Sequence, residues 1–486
     1  MKLNRAVLLS VLLFLLLFSG TGTVYGQLSG QISSIIENSR ASNAVWSVQV
    51  RDSSGKILEN LNGNMLMRPA SNLKLVTSGA YLDRLGADYQ FKTTLFGRGE
   101  QQGNTWHGDL LIKGSGDPTI NGLFTQGNAL FLFEKWARVL LETGIRRIDG
   151  NLIGFDGLFD DVPYPKGWEW DDLSFYYAPE ISALSFNSNV VDLEVVASGR
   201  VGSVPDIQWF PFNTPYVEFI NEQIITAPGA RFVESYRREL GTNTILLRST
   251  LPQGYYETEP LTVTAPTHYF LDTLFRYLIQ RGIDVTGHIF SDNDFHRWTE
   301  TGLEILDEHY SEPLFKIVNE LNKESNNFIA EMLLKKIGAA EYGVQGTTDL
   351  GLQVVKKYMA EMGFDTTAVS LRDGSGMAPA TILKTDDLNR FLITVRGREY
   401  YPYLYNSLAR SGVSGTLSHR FRNSSVRDNF KGKTGFVSGV RALSGYLDTD
   451  SGNQLAVTII TNNYTVQTAH VDLIHQQILE NLKSRY

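Results

Sequence analysis

The chain has 486 residues, 52 acidic against 44 basic side chains for a net charge of −8, and no cysteine. That length exceeds one ordinary core, so two or more domains are expected, and the acidic balance argues against nucleic acid as a partner. Disulfides and a thiol-linked lipid anchor are excluded, and the 8 histidines fall in no ligand-spaced motif, so no metal site is expected.

The chain opens with Lys2 and Arg5 ahead of an apolar run over 6–18, too short to span a membrane comfortably. Val24-Tyr25-Gly26 follows as a cleavage site. Residues 1–26 therefore read as an export signal, cleaved or kept as an anchor, and the rest is expected in a periplasm. Residues 45–50 alternate like a strand, Asp52-Ser53-Ser54-Gly55 is a turn, and 57–61 returns.

Then comes Pro69-Ala70-Ser71-Asn72-Leu73-Lys74, with Leu73, Val76 and Ala80 at helical spacing and a stop near Gly86. A serine and a lysine three apart on a helix share one face. An amine held there can take the hydroxyl proton and make Ser71 a nucleophile, and the helix start can help stabilise an oxyanion. The pattern alone also describes a helix N-terminal serine beside a solvated lysine. A second copy, Ser53-Ser54-Gly55-Lys56, sits in the predicted turn, where the two side chains would not share a face.

From about 89 to 307 the chain is rich in short strands, Gly and aromatics. A helical stretch at 130–142 leads to Gly144-Ile145 and then Asp149-Gly150-Asn151-Leu152-Ile153; another at 270–280 leads to Gly282-Ile283 and then Thr286-Gly287-His288-Ile289-Phe290. Two like units suggest a β-rich insertion with its own core. A helical block follows: Leu314, Ile317, Val318 and Leu321; then Ile329, Met332, Leu333 and Ile337, stopped by Gly338; then Val354, Val355, Tyr358, Met359 and Met362, stopped by Gly363. These stripes read as core packing.

A partner motif S-x-N, a proton-passing hydroxyl and a substrate-holding amide, has three candidates. Ser185-Phe186-Asn187 lies in the insertion. Ser291-Asp292-Asn293 ends the second repeat unit, where a polar strand end explains it. Ser325-Asn326-Asn327 sits on a loop between two helical stripes and is preferred. Near the C-terminus, Lys431-Gly432-Lys433-Thr434-Gly435 precedes two strands, 442–448 and 454–461. K-T-G on an edge strand offers an ammonium and a hydroxyl to an anion, and its glycine lets substrate lie close. The N–H of Phe436 can pair with that of Ser71 as an oxyanion hole. A last helix carries Val471, Ile474, Ile478 and Leu482 on one face.

Taken together, Ser71-x-x-Lys74, Ser325-x-Asn327 and Lys433-Thr434-Gly435, with a long first gap, resemble the penicillin-binding protein 4 family of D-alanyl-D-alanine carboxypeptidases (peptidase family S13). Further segments share the likeness: Gly114-Ser115-Gly116-Asp117-Pro118, Tyr177-Ala178-Pro179, Ser182 to Asn187, and Asp373-Gly374-Ser375-Gly376. Met377-Ala378-Pro379 departs from the expected Leu-Ser-Arg. The resemblance implies a transpeptidase-like α/β (α+β) catalytic domain, an antiparallel sheet flanked by helices, over 27–95 and 308–486, with an inserted β-rich region at 96–307. It implies attack by Ser71, Lys74 as base, proton relay by Ser325, orientation by Asn327, and carboxylate binding by Lys433 and Thr434. The implied partners are peptidoglycan stem peptides ending in D-Ala-D-Ala, with β-lactams as covalent inhibitors; endopeptidase cleavage often accompanies the activity, and no cofactor is required. The rival expectations are a β-lactamase, against which the insertion argues, and a non-catalytic wall-binding protein.

Overall fold

Both ends of the chain build one sheet. In the computed structural model, which describes residues 29–486, six antiparallel strands run in the order Ile57–Leu61, Val45–Arg51, Gln454–Asn462, Val440–Asp448, Phe430–Val437 and Ala409–Arg410. The export signal expected at 1–26 lies outside the described residues. Central strands such as Gln454–Asn462 read as almost unbroken apolar runs because helices cover both faces.

On one face the helices Gly30–Glu37 and Thr468–Arg485 bring Ile32, Ile36, Val471, Ile474 and Ile478 against Trp46, Val48, Val457 and Ile459. On the other face the strand Val45–Arg51 presents its polar alternates to the helix Thr385–Thr394. There Asn389 Nδ2 donates to the carbonyls of Gln49 and Ala456, both at 3.0 Å, and Arg51 pairs with Asp386 at 2.7 Å. Behind lie the helix Lys74–Leu85, which follows Ser71, and the helices Leu314–Lys323, Asn327–Tyr342 and Thr348–Glu361, sharing one apolar core. This is the helix–sheet–helix architecture that the sequence implied.

Gly338 does not stop its helix. The helix runs through to Tyr342 and ends at Gly343, whose φ of 66° is left-handed. Gly338 instead lets the next helix approach: a Cβ there would lie 2.8 Å from the Gly351 nitrogen.

The intervening region has a separate apolar core and a seven-stranded sheet. The expected boundaries at 95/96 and 307/308 fall inside two of its strands, Lys92–Gln102 and Glu304–Tyr310, which pair with each other. The chain leaves and returns on neighbouring strands, so these strands belong wholly to the second sheet. The two repeat units meet side by side: Arg147 pairs with Asp284 and Leu152 with Ile289, in parallel. Their helices, Phe131–Glu142 and Pro266–Gln280, pack together in that core.

Candidate active site

Ser71 lies on a 3-10 turn, Ala70–Leu73, and the α-helix proper starts at Lys74 rather than at the serine. The turn is pressed from two sides. A Cβ on Gly435 would lie 2.7 Å from the Pro69 oxygen, and one on Gly376 would lie 2.1 Å from the Ala70 oxygen. Both positions therefore require glycine, and Ala70 itself adopts a left-handed φ of 46°. Gly435 was expected to make room for substrate; in the fold it makes room for the turn carrying Ser71.

Lys74 is fully buried. Its Nζ donates to Ser71 Oγ at 2.9 Å, to Asn327 Oδ1 at 2.5 Å and to the Ser375 carbonyl at 3.0 Å. Burial pushes this amine down to about 7, against the opposing pull of Asp373 and Glu331. Near neutral pH it can therefore exist as the free base while still aimed at the serine hydroxyl.

Asn327 opens its helix, and Asn326 caps it by accepting from the Ile329 N–H at 3.0 Å. The Asn327 amide donates to the Tyr177 carbonyl at 2.8 Å, so its oxygen faces Lys74. Ser325 sits just ahead in left-handed backbone, φ 63°, and its Oγ accepts from Lys433 Nζ at 2.8 Å. Lys433 is buried on the strand Phe430–Val437 and also donates to the Thr434 carbonyl at 3.0 Å. Burial, then the charges of Lys74 and Arg441, hold Lys433 well below the usual lysine range. Thr434 Oγ1 donates to Thr416 Oγ1 at 2.7 Å. Phe436, next along the strand, is 55% exposed at the edge of this arrangement.

The fold thus joins Ser71, Lys74 and Asn327 in one hydrogen-bonded group and Ser325 and Lys433 in a second, with Gly435 letting the strand lie against the turn that carries Ser71. The decoys stay apart. The Ser53–Lys56 copy is an exposed turn organised by Asp52, which accepts from Ser54 and Lys56. Ser185 and Asn187 bond within the insertion, to the Ser182 carbonyl and Asp192. Asn293 follows a strand and donates to Asp156 at 2.9 Å.

Two buried carboxylates behind Lys74 were not singled out from sequence. Glu331, one turn after Asn327, accepts from the N–H groups of Gly374 and Ser375 at 3.0 and 2.8 Å, and burial pushes it up to about 7. Asp373 accepts from the N–H groups of Gly376 and Ala378, from Ser375 and Thr381 hydroxyls, and from Trp168 Nε1 at 3.1 Å. The signal for Glu331 was an acid among Phe328, Ile329, Ala330 and Met332, on a helix otherwise buried at that level. Asp373 stood in a quoted segment without a role. Met377 lies with its sulfur 3.5 Å from Asn327 Nδ2, so the departure from Leu-Ser-Arg borders the site.

The model of the D-Ala-D-Ala carboxypeptidase 3 (S13) family matches residues 28–484. A D-alanyl-D-alanine carboxypeptidase from Actinomadura sp. (strain R39) is 30% identical over 468 residues, covering 92% of this chain and 83% of that protein. A D-alanyl-D-alanine carboxypeptidase, DacB, from Haemophilus influenzae is 25% identical, covering 84% of this chain and 83% of the relative. In fold, the crystal structure of penicillin binding protein 4 from Haemophilus influenzae superposes with a TM-score of 0.80 at 22% identity, over 93% of this chain and 98% of that one.

Proposed function

This chain belongs to the D-Ala-D-Ala carboxypeptidase 3 (S13) family, and from that membership we infer how its own residues carry out the chemistry. It is a serine-type D-Ala-D-Ala carboxypeptidase of the penicillin-binding kind, acting on peptidoglycan peptides.

The reading of the site rests above all on the fully buried Lys74, held 2.9 Å from Ser71 Oγ. In its free-base form Lys74 takes the Ser71 proton as Oγ attacks the carbonyl of the penultimate D-Ala. The Ser71–carbonyl bond forms, and the oxyanion is met by the N–H groups of Ser71 and Phe436. As the peptide bond breaks, the proton travels through Ser325 to the departing amine and free D-alanine leaves. Water then attacks the acyl-serine, Lys74 again handling the proton, and Ser71 is restored. Asn327 orients the peptide, and Lys433 with Thr434 binds the terminal carboxylate. A β-lactam enters the same first step and stays as the acyl group.

Stem peptides ending in D-Ala-D-Ala are the proposed substrates, and the same acyl step extends to DD-endopeptidase cleavage of cross-links. The enzyme works outside the cytoplasm, with 1–26 proposed as the signal that delivers it to a periplasm. The test is direct. A labelled penicillin should add its mass to the peptide containing Ser71, and pentapeptide muropeptides should lose D-alanine. Rapid, sustained penicillin turnover without D-alanine release would favour a β-lactamase instead.

A further inference from the structure

One segment of the inserted region runs along the catalytic centre and touches it at three levels. At its start, Asp160 pairs with the buried Lys335 at 2.6 Å, and Lys335 Nζ also donates to the Val162 carbonyl at 2.7 Å. At its end, the Tyr177 carbonyl accepts from Asn327 at 2.8 Å. Between them, Trp168 Nε1 donates to Asp373 Oδ2 at 3.1 Å. Lys335 and Asn327 lie two helical turns apart on the helix Asn327–Tyr342, with Glu331 between them.

The middle contact reaches the proposed base through a short path. Asp373 gathers two N–H groups and two hydroxyls of the loop around Ser375, and the Ser375 carbonyl accepts from Lys74 Nζ. Asp373 is fully buried, so each donor it holds weighs on the field it exerts. Trp168 is the donor supplied by the insertion; the loop supplies the others. We propose that Trp168 is a positioning residue for the reaction: its indole N–H, acting through Asp373, sets the place and basicity of Lys74, making the insertion part of the catalytic apparatus.

The groups that face Lys74 are Glu331 from its helix, Asp373 from the loop and Lys433 from the strand, and Tyr81 from the nucleophile helix stands beside both acids. Removing the indole N–H leaves Asp373 with one donor fewer. Its negative potential at Lys74 then strengthens, and the ammonium form persists to higher pH. Removing the charge itself has the opposite effect. The two changes should thus displace the same limb in opposite directions.

The inference rests on the proposed roles of Ser71 and Lys74. The experiment follows acylation of the full-length protein by a chromogenic cephalosporin between pH 5 and 9, roughly the range over which an amine of lowered pKa titrates, in the unaltered protein, Trp168→Phe and Asp373→Asn, with thermal melts alongside. Trp168→Phe should acylate about twofold more slowly at neutral pH, with its rising limb moved up by about half a pH unit. Asp373→Asn should move the limb down, and the double variant should follow Asp373→Asn alone, since Trp168 then has no carboxylate to act on. If the Trp168→Phe limb coincides with that of the unaltered protein, whatever the rate or melting temperature, the ring is only packing and the inference fails. If Asp373→Asn does not fold, the Trp168→Phe limb alone decides. Absence of any acyl adduct in the unaltered protein overturns the proposed function rather than this inference.

Discussion

Lys74 is a buried amine that, among the described residues, bonds to no carboxylate. The three bonds of Nζ go to a hydroxyl, an amide oxygen and a carbonyl, while Asp373 and Glu331 act from behind. Desolvation wins over their attraction, which is why the amine sits near 7 and not near an ordinary lysine. If Lys74 is the base as proposed, acylation needs the free amine, so the rate with a penicillin should climb with pH and level off above about 7, a profile that stopped-flow acylation would give directly. Glu331, itself pushed up to about 7, ionises over the same range, so Glu331→Gln removes its partial hold on the ammonium and should move the upper part of the limb to lower pH. Ser71→Ala should abolish the penicillin adduct and reduce D-alanine release by at least about a thousandfold, judged from the cost of losing a nucleophile elsewhere; release at the unaltered rate would exclude Ser71 as nucleophile. Ser71, Lys74 and Lys433 could be proposed from sequence because the chemistry proposed for them is tied to fixed short spacings. Glu331 and Asp373 were not, because they work by gripping backbone N–H groups of a loop brought close only by folding.

The turn Ala70–Leu73, the strand Phe430–Val437 and the loop around Gly376 form a stack in which backbone touches backbone. A methyl at Gly435 would meet the Pro69 oxygen at 2.7 Å and the Ala70 Cβ at 3.2 Å, so the strand or the turn must move. Gly435→Ala should therefore slow acylation by about tenfold or more, the scale of a small misplacement of reacting groups. The substitution should leave the far-ultraviolet circular dichroism unchanged, because the strand keeps its partners. An unchanged acylation rate would show that the turn yields without disturbing Ser71. The helices themselves were visible as apolar stripes, and their ends at Gly86 and Gly363 were read correctly, both with positive φ. Gly338 was misread because a glycine that admits a neighbouring helix and one that ends a helix look alike until the neighbour is placed.

At the scale of the molecule, the helix Asn327–Tyr342 connects the catalytic group to the insertion, with Asn327 at one end and the Lys335–Asp160 pair further along. Lys335→Ala would leave Asp160 facing a buried gap and should lower the unfolding free energy by about 3 kcal/mol, measured as a shift of the urea midpoint at unchanged slope. What the sequence by itself determined is the chemistry and the fold class: three motifs in order, terminal strands that had to pair, and a long middle segment with its own apolar set. Those properties are written in residue type and spacing, which folding does not alter. What only the tertiary structure decided is the true extent of the second sheet, since Lys92–Gln102 and Glu304–Tyr310 find each other across the whole insertion. It also decided which serine and lysine of two S-x-x-K copies meet an asparagine, and the supporting set of Glu331, Asp373, Trp168 and Tyr177. Each of those contacts joins residues far apart in the chain, and local periodicity carries no information about such distances.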